Sequence, residues 1–189
     1  MTRALVVVDP GHGGSDPGAE NPRTLIWESE LNLDFALMFQ LWARTAFDVL
    51  LTRTRDEAVS LQARAILSNE RRADVFLSFH CNAAEDEAAH GFEVWTSPGQ
   101  TKADSLATAI FGALAKACPG KTGRTDYDDG DPDKETRFYV LRTTAAPAVL
   151  IEFGFVSNDA ESSWLNDVLN QGRIAEALVL AVKGWLGGR

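Results

Sequence analysis

Two hydrophobic rhythms alternate along this chain. Short apolar runs, β-branched and stopped by turn residues or charges, predict buried strands. They fall at residues 4–8, ending at Pro10-Gly11, at 48–52, at Asp74–Cys81, at Phe92–Thr96 and at Ala148–Phe153. The run Val75-Phe76-Leu77-Ser78-Phe79 is apolar on both faces. Phe138–Leu141 predicts a further edge strand. Between these runs the spacing changes to three and four. Leu31, Phe35, Met38 and Trp42 predict a helix over about Glu28–Ala46, and Leu61–Arg72 a second one capped by Ser60. Leu106, Ile110, Phe111 and Leu114 predict a third over Thr101–Cys118, stopped by Pro119-Gly120. Ile174, Leu178 and Ala181 predict a last one over about Gly172–Leu186. Residues 11–24 are rich in Gly, Pro and Asn and predict a loop, and the polar stretch 119–137 predicts a mobile surface loop.

Strands that alternate with helices predict an α/β fold: a mostly parallel, twisted sheet of about six strands with helices on both faces. A length of 189 residues fits one domain, spanning 1–189, with no linker to a second one expected. Hydrophobic residues at 45% and charged residues at 24% are enough for a sizeable core. The formal net charge of −9 repels phosphate backbones and anionic lipid, so neither nucleic acid nor a membrane surface is an expected partner. The opening apolar run has five residues, too short for a signal-peptide core, and no stretch approaches the roughly 18 apolar residues of a membrane span. Synthesis in the cytoplasm without an export signal, and a monomer, are the expectations. The two cysteines, Cys81 and Cys118, read as small core residues rather than a disulfide framework.

Chemistry concentrates where strands end. In open parallel sheets ligands bind beyond the carboxyl ends of the strands. The first strand ends at Asp9-Pro10-Gly11-His12-Gly13-Gly14, the third at His80-Cys81-Asn82, and the last at Glu152-Phe153-Gly154. Two histidines and a glutamate therefore emerge on one rim from separate parts of the chain. The glycines around His12 let the backbone turn sharply. A phosphate loop would need a Gly-Lys-Ser/Thr ending, which is missing here. A catalytic zinc takes three protein ligands and keeps a fourth position open, and a separate carboxylate serves as base. Glu152 follows the apolar Val149-Leu150-Ile151, where an unpaired carboxylate is costly, and is the candidate base. For the acidic ligand, Glu20, Glu28 and Glu30 all lie near the first loop, and spacing alone leaves the three open. Asp9 and Asn82 are candidates for orienting the histidines. His90 reads as a surface residue. Tyr127-Asp-Asp-Gly invites a calcium reading, but the acidic spacing does not match an EF-hand loop.

The run Val6-Val-Val-Asp-Pro-Gly-His-Gly-Gly-Ser-Asp-Pro-Gly-Ala19 resembles the opening of the zinc-dependent N-acetylmuramoyl-L-alanine amidases, the amidase-3 family. The resemblance continues at Glu28-Ser-Glu-Leu-Asn-Leu33, Leu51-Thr-Arg53, Ser60-Leu-Gln-Ala-Arg64, Ala73–Ala83, Gly91-Phe-Glu-Val94 and Pro147–Asn158. It implies one zinc ion held by His12, Glu28 and His80, with Glu152 as the catalytic glutamate. It thereby favours Glu28 over Glu20 and Glu30. The implied reaction is hydrolysis of the amide between the lactyl group of N-acetylmuramic acid and L-alanine in peptidoglycan. Within such a substrate, Arg124 and Arg137 of the 119–137 stretch are candidates to meet a stem-peptide carboxylate. Some relatives carry an inhibitory helix after the fourth strand. Here Trp95–Thr101 leads directly into the third helix, so an open enzyme of the phage or prophage endolysin kind, acting on the wall after release, is the expectation. The alternatives are a zinc peptidase acting on another amide and a non-catalytic wall-binding pseudoenzyme.

Overall fold

The computed structural model describes residues 3–128 and 130–188. Fourteen elements follow in order: β1 (Leu5–Pro10), β2 (Glu20–Asn21), β3 (Ile26–Trp27), α1 (Glu28–Ala43), β4 (Asp48–Leu51), α2 (Leu61–Arg71), β5 (Val75–Asn82), β6 (Glu93–Thr96), α3 (Lys102–Ala117), β7 (Lys134–Glu135), α4 (Tyr139–Thr143), β8 (Ala148–Phe155), α5 (Asp159–Leu165) and α6 (Val168–Gly187). Six strands form one sheet in the order β4-β1-β5-β8-β6-β7, and β2 and β3 form a separate hairpin. The first four of the six run parallel, while β6 is antiparallel to β8 and carries β7 parallel to itself. The α/β architecture with a mostly parallel six-stranded sheet is the one expected from the sequence.

The two faces of the sheet are unequal. Val6, Val8, Leu77, Phe79, Val149 and Ile151 point to one side, where α1, α3 and α6 bury them in the main core. Phe153 stacks on Phe35 of α1 there, with centroids 4.1 Å apart. Val7, Phe76 and Leu150 point to the other side and are covered by Val140 and Leu141 of the short α4, with α2 beside it. Beyond that small cluster the second face turns polar: Asp9, Ser78, His80, Glu152 and Glu93 stand at the alternate positions of β1, β5, β8 and β6. The functional residues thus lie on the thinly covered face, near the carboxyl ends of the parallel strands.

Several local expectations change. Phe138–Leu141 leads into the helix α4 rather than forming a strand. Val140 and Leu141 are adjacent and both buried; strand alternation would turn one of them to solvent, and a helical turn lets both meet the sheet. In α1 the buried row is Leu31, Phe35, Phe39 and Ala43, each four residues on from the last, while Trp42 is 44% exposed. Ser60 caps α2 as expected, accepting from the Ala63 amide. Cys81 and Cys118 are both buried and free. The connection from β6 to α3 is the short segment 97–101, with no inserted helix. No helix among the described residues is long and apolar enough to cross a membrane.

The 119–137 stretch, expected as a mobile loop, is tied to the sheet edge. Gly123 bridges to Phe92, and β7 pairs with Trp95 and Thr96. Asp129, part of the Tyr127-Asp-Asp-Gly run, lies outside the described residues. Asp133 is 2% exposed and accepts from the Thr96 hydroxyl at 2.7 Å. Burial, and then the neighbouring Asp131 carboxyl, push its pKa from 3.8 up to about 7. An acid whose folded pKa is raised loses stability as pH climbs from about 4 to about 7, because the unfolded chain releases the proton first. Asp133→Asn is therefore expected to raise stability at pH 8 by on the order of 1–3 kcal/mol, and by less at pH 5. Thermal melts at the two pH values check this; an equal or larger gain at pH 5 would contradict it.

Candidate metal centre

The His12 turn is built for close approach. His12 itself has a positive φ of 59°, and Gly13 and Gly14 follow at 122° and 63°. Two buried arginines hold this turn through its carbonyls. Arg53 donates to the carbonyls of Pro10, Gly11 and Ser29 at 3.0, 2.9 and 2.7 Å. Arg64 donates to those of Pro10 and His12 at 2.6 and 2.8 Å. Arg64 also pairs with Asp9 at 2.7 Å, and that carboxylate accepts from Thr52 and Ser78 as well. Asp9 thus hydrogen-bonds neither histidine; it acts on the His12 turn through Arg64. Asn82 likewise makes no hydrogen bond to a histidine. Its side chain accepts from the Ala83 amide and donates to Glu93, because it lies where β5 departs from regular pairing with β8.

Three side chains converge. Glu28 opens α1 and is 6% exposed, whereas Glu20 and Glu30 are exposed. Its Oε1 lies 3.2 Å from His12 Nε2 and 3.0 Å from His80 Nδ1. The amides of Ala19 and Cys81 and the Asn32 side chain fix the carboxylate further. One ligand atom from each of His12, Glu28 and His80 lies within 4.8 Å of the other two. The outer nitrogen of His12, Nδ1, faces Asp16 at 2.9 Å, which aims Nε2 at Glu28. The glycines near the site are steric necessities. A Cβ on Gly11 would sit 2.2 Å from the His80 ring, and one on Gly18 would sit 2.5 Å from Glu28 and 2.8 Å from His12.

The charges follow from this packing. The hydrogen bond that protonated His12 donates to Glu28 raises its pKa to about 9, against the opposing effect of burial. Burial disfavours the Glu28 carboxylate, yet the hydrogen bonds of His12 and His80 outweigh it and hold its pKa well below the usual range. Burial disfavours the His80 cation, but the Glu28 hydrogen bond and the Glu152 charge lift its pKa overall. Such a pair of imidazoles drawn onto one carboxylate fits a divalent ion that replaces the bridging protons: ligand atoms about 3 Å apart are what tetrahedral bonds of about 2.0–2.1 Å require. Glu152 is the register partner of His80 across β5 and β8. Its Oε2 is buried without a hydrogen-bond partner, and burial pushes its pKa up to about 7.

A family model described as N-acetylmuramoyl-L-alanine amidase matches residues 6–184. The chain belongs to this family. It is 32% identical to a probable cell wall amidase, LytH, from Staphylococcus epidermidis, over 94% of the chain and 57% of that protein. It is 37% identical to the N-acetylmuramoyl-L-alanine amidase CwlM of Bacillus licheniformis, over 82% of the chain and 59% of that protein. The chain therefore spans less than two thirds of the length of these curated relatives. Among solved structures, an N-acetylmuramoyl-L-alanine amidase from Clostridium difficile 630 superposes with a TM-score of 0.91 at 31% identity, covering 100% of both chains. The catalytic domain of CwlV from Paenibacillus polymyxa gives 0.87 at 28% identity, over 98% of this chain and 99% of that one.

The remaining residues singled out from the sequence lie away from the three ligands. His90 is exposed and contacts the Ala88 carbonyl. Arg137 lines a cavity of about 670 Å³ with Ser97, Arg142 and Pro147, beside the amino end of β8 and so at the far end of the strand from Glu152. That position sets it apart from the three ligands. A smaller cavity, about 250 Å³, reaches His12 and His80 past Ser60 and Val140. Arg124 lies on the same sheet face as Glu152, bonded to Glu93 at 2.6 Å. Asp16, Arg53, Glu93 and Lys134 are contributors that spacing in the sequence does not point to, although Asp16, Arg53 and Glu93 do lie within the family motifs.

Proposed function

We propose that this chain hydrolyses the amide between the lactyl group of N-acetylmuramic acid and L-alanine of the peptidoglycan stem peptide, as a zinc enzyme acting on the cell wall. The observation that carries this reading is the convergence of His12, Glu28 and His80 beside a buried carboxyl, Glu152, whose Oε2 has no partner. His12 Nε2, a Glu28 oxygen and His80 Nδ1 would hold one zinc ion. Bound there, zinc supplies Lewis acidity that acidifies water and polarises the amide carbonyl.

The chain's own groups do the rest. Glu152 takes a proton from the attacking water and delivers it to the leaving nitrogen of L-alanine, its Oε2 being free of any other hydrogen-bond partner among the described residues. Asp16 holds the His12 ring in the orientation that presents Nε2. The Ala19 and Cys81 amides keep Glu28 in place. The open second face of the sheet leaves room for an extended glycan-linked peptide.

The test is digestion of purified peptidoglycan by the zinc-loaded protein, followed by mass spectrometry. New amino termini on L-alanine with intact glycan strands are expected, with activity lost on chelation and regained with zinc. Cleavage at another peptide bond would favour a peptidase instead, and activity that survives chelation would remove the metal from the mechanism.

A further inference from the structure

We infer that Arg124 and Lys134, gathered on Glu93 next to Glu152, form a binding site for a carboxylate of the substrate's peptide, two residues beyond the amide that is cut. This rests on the amidase reading and adds to it the feature of the peptide that the site selects.

The placement comes from strand register. Glu152 pairs with His80 on one side and with Glu93 on the other, so the three side chains stand in a row on one face of β5, β8 and β6. Neighbouring strands are about 4.8 Å apart, which puts Glu93 roughly 7 Å from a point midway between His80 and Glu152. An extended peptide advances about 3.3–3.6 Å per residue. A peptide whose scissile amide lies over His80 and Glu152 and which runs across the strands therefore brings the substituent of its second residue to Glu93 and its cations.

Charge supplies the second argument. The Glu93 side chain is 4% exposed and saturated with donors. Its Oε1 accepts from Arg124 Nε at 2.6 Å and Lys134 Nζ at 2.9 Å, and its Oε2 from Trp95 Nε1 at 3.1 Å and Asn82 Nδ2 at 3.4 Å. Two cations, Arg124 and Lys134, meet on this one carboxylate in a chain of net −9. Donors are left over as well. Arg124 spends only Nε on Glu93, and its two terminal nitrogens have no partner among the described residues. Lys134 makes one ion pair with its three donors. The Arg124 side chain is 42% exposed, so its unused edge is open to a ligand.

The cations are also held in place. The Arg124 guanidinium lies 5.2 Å from the centre of the Phe155 ring, and Lys134 Nζ lies 5.1 Å from that of Trp95. Glu93 and the two aromatic rings thus order the donors before any substrate arrives, which lowers the entropy lost on binding. A guanidinium edge with a nearby ammonium matches a carboxylate, and a neutral carboxamide in its place would lose the charge and meet donors with donors. The site therefore selects a peptide whose second residue carries a free carboxyl over one in which that carboxyl is amidated.

The experiment compares kcat/KM of the zinc-loaded protein on two muramyl peptides that differ only in that carboxyl, free in one and amidated in the other. A second substrate pair varies the carboxylate on the third residue instead. Wild type is expected to prefer the free acid at the second residue about tenfold, and Arg124→Gln and Lys134→Met to reduce that ratio to about one. A wild-type ratio near one, variants that lower both rates while keeping the ratio, or a preference that follows the third residue would each overturn the assignment. No cleavage of any substrate by wild type would overturn the amidase reading itself, and this site with it.

Discussion

Glu152→Gln is expected to lower hydrolysis of peptidoglycan by about 10²–10⁴-fold while leaving the zinc content of the protein unchanged. The two halves of this expectation come from different observations. Glu152 is not among the three side chains that converge on one point, so the ion has no need of it. Its Oε2 is buried and unpartnered, so this oxygen is available to accept a proton from water and to pass it on. Stability adds a third readout. Burial raises the pKa from 4.5 to about 7, so in the ion-free protein the unfolded chain gives up this proton first as pH climbs. Between about pH 4.5 and 7 the wild type therefore loses stability that glutamine, which has no proton to release, does not lose. The ion-free Gln variant should gain more in Tm over wild type at pH 8 than at pH 5. Metal analysis, rate assays and melts decide. A variant that keeps activity within tenfold would place the base elsewhere, and one that loses zinc would make Glu152 a ligand.

Much of this site was legible because chemistry at strand ends can be read from apolar runs. β1, β5 and β8 are unambiguous runs, and the structure brings together His12 just past β1, His80 near the end of β5 and Glu152 in the second half of β8. Glu28 was not legible in that way. It lies 16 residues beyond His12, and only the docking of α1, which buries Glu28 and turns Glu30 to solvent, separates the two from each other. The residues that support the site were harder still. Glu93 reads as one polar position in a short strand, yet its ion pairs come from 31 and 41 residues downstream. Those partners sit in a polar stretch whose pattern carries no periodicity, and the same lack of pattern made β7 invisible. Arg137 was a reasonable candidate by charge alone. What charge could not foretell is the direction of β7, which runs with β6 and carries the chain away from the carboxyl ends of the parallel strands. Asp9 shows the same limit at shorter range: its neighbour in sequence is the His12 turn, but its partner in space is Arg64, 55 residues on.

That pairing has a testable cost. Asp9 and Arg64 are 1% and 3% exposed, and Arg64 also satisfies the carbonyls of Pro10, His12 and Val59. Arg64→Met would leave the Asp9 carboxylate buried with two hydroxyls and no cation, and about 3–5 kcal/mol of stability should be lost in urea unfolding at pH 7. Asp9→Asn removes the stranded charge, so adding it to the Met variant should restore part of the loss, a coupling that a double-mutant cycle measures directly. The site should respond too. Without Arg64 the His12 carbonyl loses its donor and the turn that presents Nε2 loosens, so zinc affinity in a chelator competition should fall by about 10–100-fold. Additive stability losses would mean that the two charges act independently. Unchanged zinc affinity would mean that Arg53 alone, through Pro10, Gly11 and Ser29, is enough to hold the His12 turn.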